Sequence, residues 1–223
     1  MIKNMFLMLA AVMAAALLLA SCGKDQEQEK TKDEQFEQKR LAGEYPDANL
    51  LNKAAEKEIE SFAFALKKGV SEAINTGGLI NAISVCSDLA PEIGMAYAKE
   101  GWSITRISDK SRNRNNQATS EQLDIITEFE WKDQAPPFIA EWKKIAGTQT
   151  YCYYKPIYMQ EMCLNCHGPK NDIKKDVAAA IAASYPNDAA TGYKVNDLRG
   201  MFVVEIAWPA GRAHAEALVS DSI

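Results

Sequence analysis

The chain has 223 residues and a formal net charge of −5, with 25 Lys and Arg against 30 Asp and Glu. No basic patch is dense enough to suggest nucleic acid, so no nucleic-acid partner is expected. The acidic balance favours solubility, and the length suffices for one domain with a real core.

The N-terminus reads as a secretory signal over residues 1–21. Lys3 supplies the positive n-region, and Phe6 to Ala20 is almost entirely apolar but too short and wrongly flanked for a membrane span. Leu19-Ala20-Ser21-Cys22 has the form of a bacterial lipobox, which predicts cleavage before Cys22 and lipid on that cysteine. Residues 22–43 follow as a charged run with few apolar side chains, read as a solvated tether. The expected location is the bacterial cell envelope, periplasmic or surface-exposed, with the membrane as partner through the lipid anchor alone.

Residues 44–223 read as one α+β domain. Leu50 to Asn75 has helical spacing, with Ile59, Phe62, Leu66 and Val70 on one stripe, and Thr76-Gly77-Gly78 ends it. Leu79 to Ala90 is a second short helix carrying Cys86, Pro91 marks a break, and Glu92 to Glu100 is a further helix closed by Gly101. Trp102 to Ile107 alternates as a strand. A polar loop leads to a helix from about Ser120 to Trp131, and Phe138 to Ile145 is taken as another helical piece. Thr148 to Met159, rich in Tyr and β-branched residues, is a strand. Ile173 to Ser184 is helical, Tyr185-Pro186-Asn187-Asp188 opens a loop, and Met201 to Ile206 is a closing strand.

Between the long strand and the Ala-rich helix lies MCLNCHGPK, Met162 to Lys170. A CxxCH unit lets two thiols add across two haem vinyl groups and sets the following histidine against the iron. Cys163, Cys166 and His167 are therefore expected to hold one covalent haem c, with His167 as a metal ligand. Zinc fits less well, because Cys166 and His167 are neighbours whose side chains diverge and a fourth ligand is lacking. A thioredoxin-type CxxC opens a helix after an early strand, and this one lies late. The late position also argues against the ordinary small cytochrome c fold.

The other axial ligand stays open on the residues alone. Cys86, Cys152, His214, Met159, Met162 and Met201 are candidates. The methionines and Cys152 read more simply as core, His214 as a solvated residue on a terminal helix, and Cys86 as core or as a disulfide partner of Cys152. Arg112 and Arg114 are candidates for haem propionates, or else residues of a solvated loop. Tyr154, Tyr158 and Tyr193 suit a haem wall or a core equally.

AISVCSDLAP (Ala82 to Pro91), ITRISDKSRNRNNQATSEQ (Ile104 to Gln122), YKPI (Tyr154 to Ile157), CLNCHG (Cys163 to Gly168) and YPNDAATGYKVNDLRG (Tyr185 to Gly200) occur in this order. Together they make the chain resemble a family of bacterial single-haem c-type domains with a PAS-like fold. The resemblance implies an antiparallel sheet flanked by helices, with a long N-terminal helix. It implies Cys86 as the axial ligand opposite His167. One departure is visible: Arg114 stands where the family commonly has proline in Arg-Asn-Pro-x-Asn. The expected role is redox or gas sensing through a signalling or redox partner, with a small gas as ligand. The alternatives are a periplasmic electron carrier or a sulfur-oxidising enzyme of the His/Cys-haem type. No nucleophile, paired base or second metal site calls for catalysis.

Overall fold

The structure is a computed structural model that describes residues 34–39, 44–131 and 134–220, apart from the side chains of residues 84–90. The leader, the lipobox with Cys22, most of the tether and the Cys86 side chain lie outside the described residues. The described residues before Ala48 belong to a separate unit, in which Phe36 meets Tyr45 edge-on at 4.9 Å. Among the described residues no helix is long and apolar enough to cross a membrane.

The rest of the chain is an α+β domain around a four-stranded antiparallel sheet. Helix α1 (Ala48–Tyr97) precedes β1 (Trp102–Ile107), and α2 (Ser120–Glu130) precedes β2 (Ile139–Ile145) and β3 (Thr148–Tyr158). A single helical turn, α3 (Leu164–His167), then α4 (Lys175–Ser184), β4 (Leu198–Ala207) and α5 (Arg212–Ser220) complete it. The strand order is β1-β4-β3-β2.

Helix α1 is two arms rather than one rod. Gly78 has φ 74° and ψ −172°, outside the helical region, at the break expected from Thr76-Gly77-Gly78. Phe62 and Tyr97 then touch, with ring centroids 5.4 Å apart. An unbroken helix would hold them about 50 Å apart at ~1.5 Å per residue, so the second arm folds back on the first. The expected break at Pro91 does not occur, and the arm continues to Tyr97. Proline removes one helical hydrogen bond there, while Ile93 and Tyr97 still bury themselves against the first arm's core.

Residues 138–145 are also not helical. β2 pairs with β3 from Ile139↔Tyr154 to Ile145↔Thr148. The two-residue connection Ala146-Gly147 has φ 48° and 86°, and two left-handed residues of this kind match the twist of a tight hairpin. Gly147 was the available turn signal.

The period-2 alternation of the strands sends their side chains to two cores. Tyr151, Tyr153, Val204, Ile206, Trp102 and Ile104 pack under the first arm of α1, against Leu51, Ile59 and Phe62. Cys152, Tyr154, Met201, Val203 and Ile107 pack on the opposite face, under Ile125, Ile126 and Phe129 of α2. Helix α2 starts with a capping box in which Thr119 and Gln122 exchange side-chain and backbone hydrogen bonds.

Strand directions fix where a site can form. Ile107 at the end of β1 pairs with Met201, and Tyr158 at the end of β3 pairs with Leu198. The end of β1, the end of β3 and the start of β4 therefore share one edge of the sheet. The loops that leave these three points converge there, and the CxxCH turn lies in one of them.

Candidate functional site

β3 does not stop abruptly. The Met159 N–H donates to the Asp197 carbonyl at 2.9 Å, and the Asn196 N–H returns to the Met159 carbonyl at 2.9 Å. The chain then coils through a 3-10 turn, Glu161–Cys163, into α3. Cys163 packs with Leu164 against Met159, Ala190 and Tyr193. Cys166 packs instead with Ile83 of the second arm of α1 and with Ile173, Val177 and Ile181 of the α4 region. The turn thus offers its two thiols to different walls. Neither is in a disulfide, and both are half-buried.

His167 ends this turn with its Nδ1 2.7 Å from the Ala190 carbonyl oxygen. A carbonyl only accepts, so Nδ1 carries the proton and donates it. Burial, and then the charges of Arg112 and Arg199, push the imidazole down to about 3. The ring is therefore neutral at ordinary pH and keeps the Nε2 lone pair. A neutral imidazole oriented through its other nitrogen by a carbonyl is the form that binds iron or zinc. Among the described residues, however, no three of His, Cys, Asp and Glu come together as a metal held by protein ligands alone would need.

The loop before β4 clamps the turn. The Gly192 N–H donates to the Gly168 carbonyl at 2.8 Å and the Tyr193 N–H to the His167 carbonyl at 3.0 Å. Asp188 accepts the Ala190 N–H at 2.9 Å and holds Arg112 by both carboxylate oxygens, at 3.1 and 3.2 Å. Arg112 Nη2 also donates to the carbonyls of Cys166 at 2.6 Å and Ala190 at 3.3 Å. The side chains of Arg112 and Asp188 are only 13% and 10% exposed, so this is a nearly buried ion pair. Arg112's fork is taken up in holding the His167 turn. The expected propionate contact would have to compete with Asp188 for it.

Arg114 is exposed, at the first position of the 3-10 turn Arg114–Asn116. That position needs no N–H and suits proline. Arginine is accommodated because the Asn113 side chain caps the turn, accepting the Asn115 N–H at 3.0 Å.

The remaining candidates separate from the site. His214 Nε2 lies 3.2 Å from buried Glu58, and its ring meets Trp102 edge-on at 4.9 Å, on the face covered by the first arm. It is a partnered residue rather than a solvated one. Cys152 is a free thiol, 1% exposed, with burial pushing its pKa up to about 11, so it is core and not half of a disulfide. Met159 and Met201 are core as expected, whereas Met162 is 47% exposed. Tyr154 lies in the core under α2, Tyr158 is exposed, and Tyr193 alone of the three tyrosines reaches His167, ring to ring at 6.4 Å. Position 86 falls in the helical second arm, one turn beyond Ile83, which touches the Cys166 cluster. Its side chain is not among those described.

Sequence reasoning missed Asp188, Ala190 and Arg199. All three lie inside YPNDAATGYKVNDLRG, which was read only as a marker, and nothing in its spacing says that a backbone carbonyl would be the histidine's partner.

Sheet, helical cladding and CxxCH turn define a PAS-like α+β domain whose one described candidate site lies beyond the edge of the sheet. The chain belongs to the Tll0287-like family, whose model matches residues 20–207. Its fold is similar to the crystal structure of the cyanobacterial heme-protein Tll0287, with a TM-score of 0.53 and 26% identity, covering 74% of this chain and 99% of that one. No curated protein matches the chain.

Removing the anion from the nearly buried pair should leave Arg112 uncompensated. Asp188→Ala is expected to cost about 3–5 kcal/mol in urea unfolding, and the double change Arg112→Met/Asp188→Leu less than that. An Asp188→Ala chain as stable as the parent would show that the pair does not hold the loop.

Proposed function

We propose that this chain is an exported c-type haem protein that acts in redox or gas sensing. The observation that carries the haem reading is the His167 imidazole, which donates from Nδ1 to Ala190 and so keeps its lone pair on Nε2, one residue from Cys166 and four from Cys163. The family and its haem-protein structure support it. Cys163 and Cys166 would form the thioethers, each S–H adding across one vinyl C=C, and His167 would be the proximal ligand. The haem supplies a redox-active iron. The chain's own residues supply orientation, a carbonyl partner that raises the basicity of His167, and partial shielding from water.

Cys86 is proposed as the opposite ligand. Its helical arm abuts the Cys166 cluster through Leu79 and Ile83, and position 86 follows Ile83 on the same stripe. A thiolate favours ferric over ferrous iron, so its release on reduction would open a place for a gas, and the change would pass to a partner protein. A bis-histidine carrier gains nothing from the geometry, since His214 is engaged by Glu58 on the sheet face under the first arm. Cys22 is proposed as the lipidated residue that anchors the protein in the cell envelope.

Protein made in a periplasm with haem-attachment machinery should keep its haem through acid–organic extraction, and Cys163→Ala/Cys166→Ala should release it. A colourless wild-type product would remove the reading. Cys86→Ala should raise the reduction potential and abolish the low-spin thiolate signal in the ferric EPR spectrum, while His214→Ala leaves both unchanged. The opposite pattern would transfer the ligand role to His214. Cys22→Ser should release the protein from the membrane or leave its precursor uncleaved; fractionation and processing as in wild type would rule out the anchor.

A further inference from the structure

A second arginine stands beside the site without an ion pair among the described residues. Arg199 is the second residue of β4, beside Gly200, which has φ 147° and lies so close to the end of β1 that a Cβ would collide with the Ile107 carbonyl oxygen. This approach presses Arg199 onto the loop after β1. Its Nη1 donates to the Ser108 hydroxyl at 2.8 Å and the Lys110 carbonyl at 3.2 Å. Among the described residues, its Nε and Nη2 make no hydrogen bond and its guanidinium forms no ion pair. Asp188 is occupied by Arg112, and Asp109 attracts Arg199 without forming an ion pair with it.

The guanidinium lies over the Tyr193 ring, 5.6 Å from its centre, and Lys110 Nζ lies 5.5 Å from the same centre. Tyr193 is 5% exposed, and its hydroxyl is buried without a hydrogen bond among the described residues. Ser108 and Arg199 lie close enough to this hydroxyl to interact with it, but neither completes a hydrogen bond of good geometry. An unmet hydroxyl and an unmet fork edge, side by side, each cost free energy unless a ligand completes them. What would complete both is an acceptor with two oxygens and negative charge. The planar fork suits a carboxylate or a phosphate, and the propionates of a haem are carboxylates.

We propose that Arg199 and Tyr193, with Lys110 beside them, form a carboxylate receptor, and that its occupant is a propionate of the haem held by Cys163, Cys166 and His167. The inference rests on the haem reading. Tyr193 links the two sites: its ring lies 6.4 Å from that of His167, and its N–H donates to the His167 carbonyl. The division of labour follows from charge. Arg112, paired with Asp188, positions the turn, and Arg199, which has no ion pair of its own among the described residues, meets the ligand.

The test uses the haem-loaded full-length protein, with wild type, Arg199→Gln, Arg199→Lys and Tyr193→Phe compared by resonance Raman spectroscopy and by potentiometry. Covalent haem is first confirmed in each by its pyridine haemochrome spectrum. Arg199→Gln should shift the propionate-bending mode and lower the reduction potential, because losing a nearby cation favours the ferric state. Arg199→Lys should shift the mode but keep most of the potential, since it keeps the charge and loses the fork. Tyr193→Phe should shift the mode alone. If the variants keep their haem and show the wild-type propionate mode, the receptor takes a carboxylate from solution or none, and the inference is overturned. Wild type without covalent haem fails at the first step, which marks failure of the haem reading itself.

Discussion

The hydrogen bond from His167 Nδ1 to the Ala190 carbonyl is the constraint around which this edge of the molecule is arranged. It fixes the tautomer, and with it which nitrogen faces a ligand. A carbonyl on a loop is a poor anchor unless the loop itself is held. The Ala190 peptide is therefore gripped at both ends, its N–H by Asp188 and its oxygen by His167 with Arg112 alongside. Arg112 closes the circuit by donating to the carbonyl of Cys166, inside the turn that carries the histidine. Residues from three separate loops stabilise one ring orientation. They can do so because the antiparallel order β1-β4-β3 delivers those loops to a single edge.

The same circuit sets the electrostatics. The chain as a whole is acidic, yet the ground around His167 is cationic, and the nearby arginines help to keep the imidazole neutral. Two arginines in partial burial repel one another and lose hydration. One is relieved internally by Asp188, while burial and Arg112's charge push Arg199 down from its ordinary range. A site of this kind would suit a ligand that brings negative charge together with a metal open to an imidazole. The hydrogen-bonded neutral histidine and the free arginine fork are complementary halves of that requirement.

How much of this could be read from the residues follows from what each feature depends on. The arm break at Gly78, the strands at 102–107, 148–158 and 198–207, and the helices at 120–130 and 175–184 rest on local periodicity and turn chemistry, and the sequence carries those. β2 was misread because Ile139 to Ile145 alone is too short and too mixed to separate the two periods, and its pairing with β3 decides it. Pro91 was over-weighted, since tertiary packing of Ile93 and Tyr97 outweighs one lost hydrogen bond. In the site, Cys163, Cys166 and His167 were legible from spacing, because their chemistry is local. The Arg112–Asp188 pair spans 76 residues, and Ala190 acts through its backbone. Neither leaves a signature in side-chain pattern.

The second arm of α1 connects the site to a device that could report on it. It is fastened near both ends: Leu79 and Ile83 on the α4 cluster, Ile93 and Tyr97 on the core beneath the first arm. Between these attachments lies Cys86, and Pro91 deprives the carbonyl of residue 87 of its helical N–H. The helix is thus weakened one residue after the proposed ligand, while its ends stay pinned. Were Cys86 the ligand proposed above, only that middle stretch would have to yield to free it, without unseating either core. A displacement of its middle would be borne by the stretch between Ile83 and Ile93. The sheet, packed on both faces and rigid, would stay as the fixed reference against which such a movement could be felt.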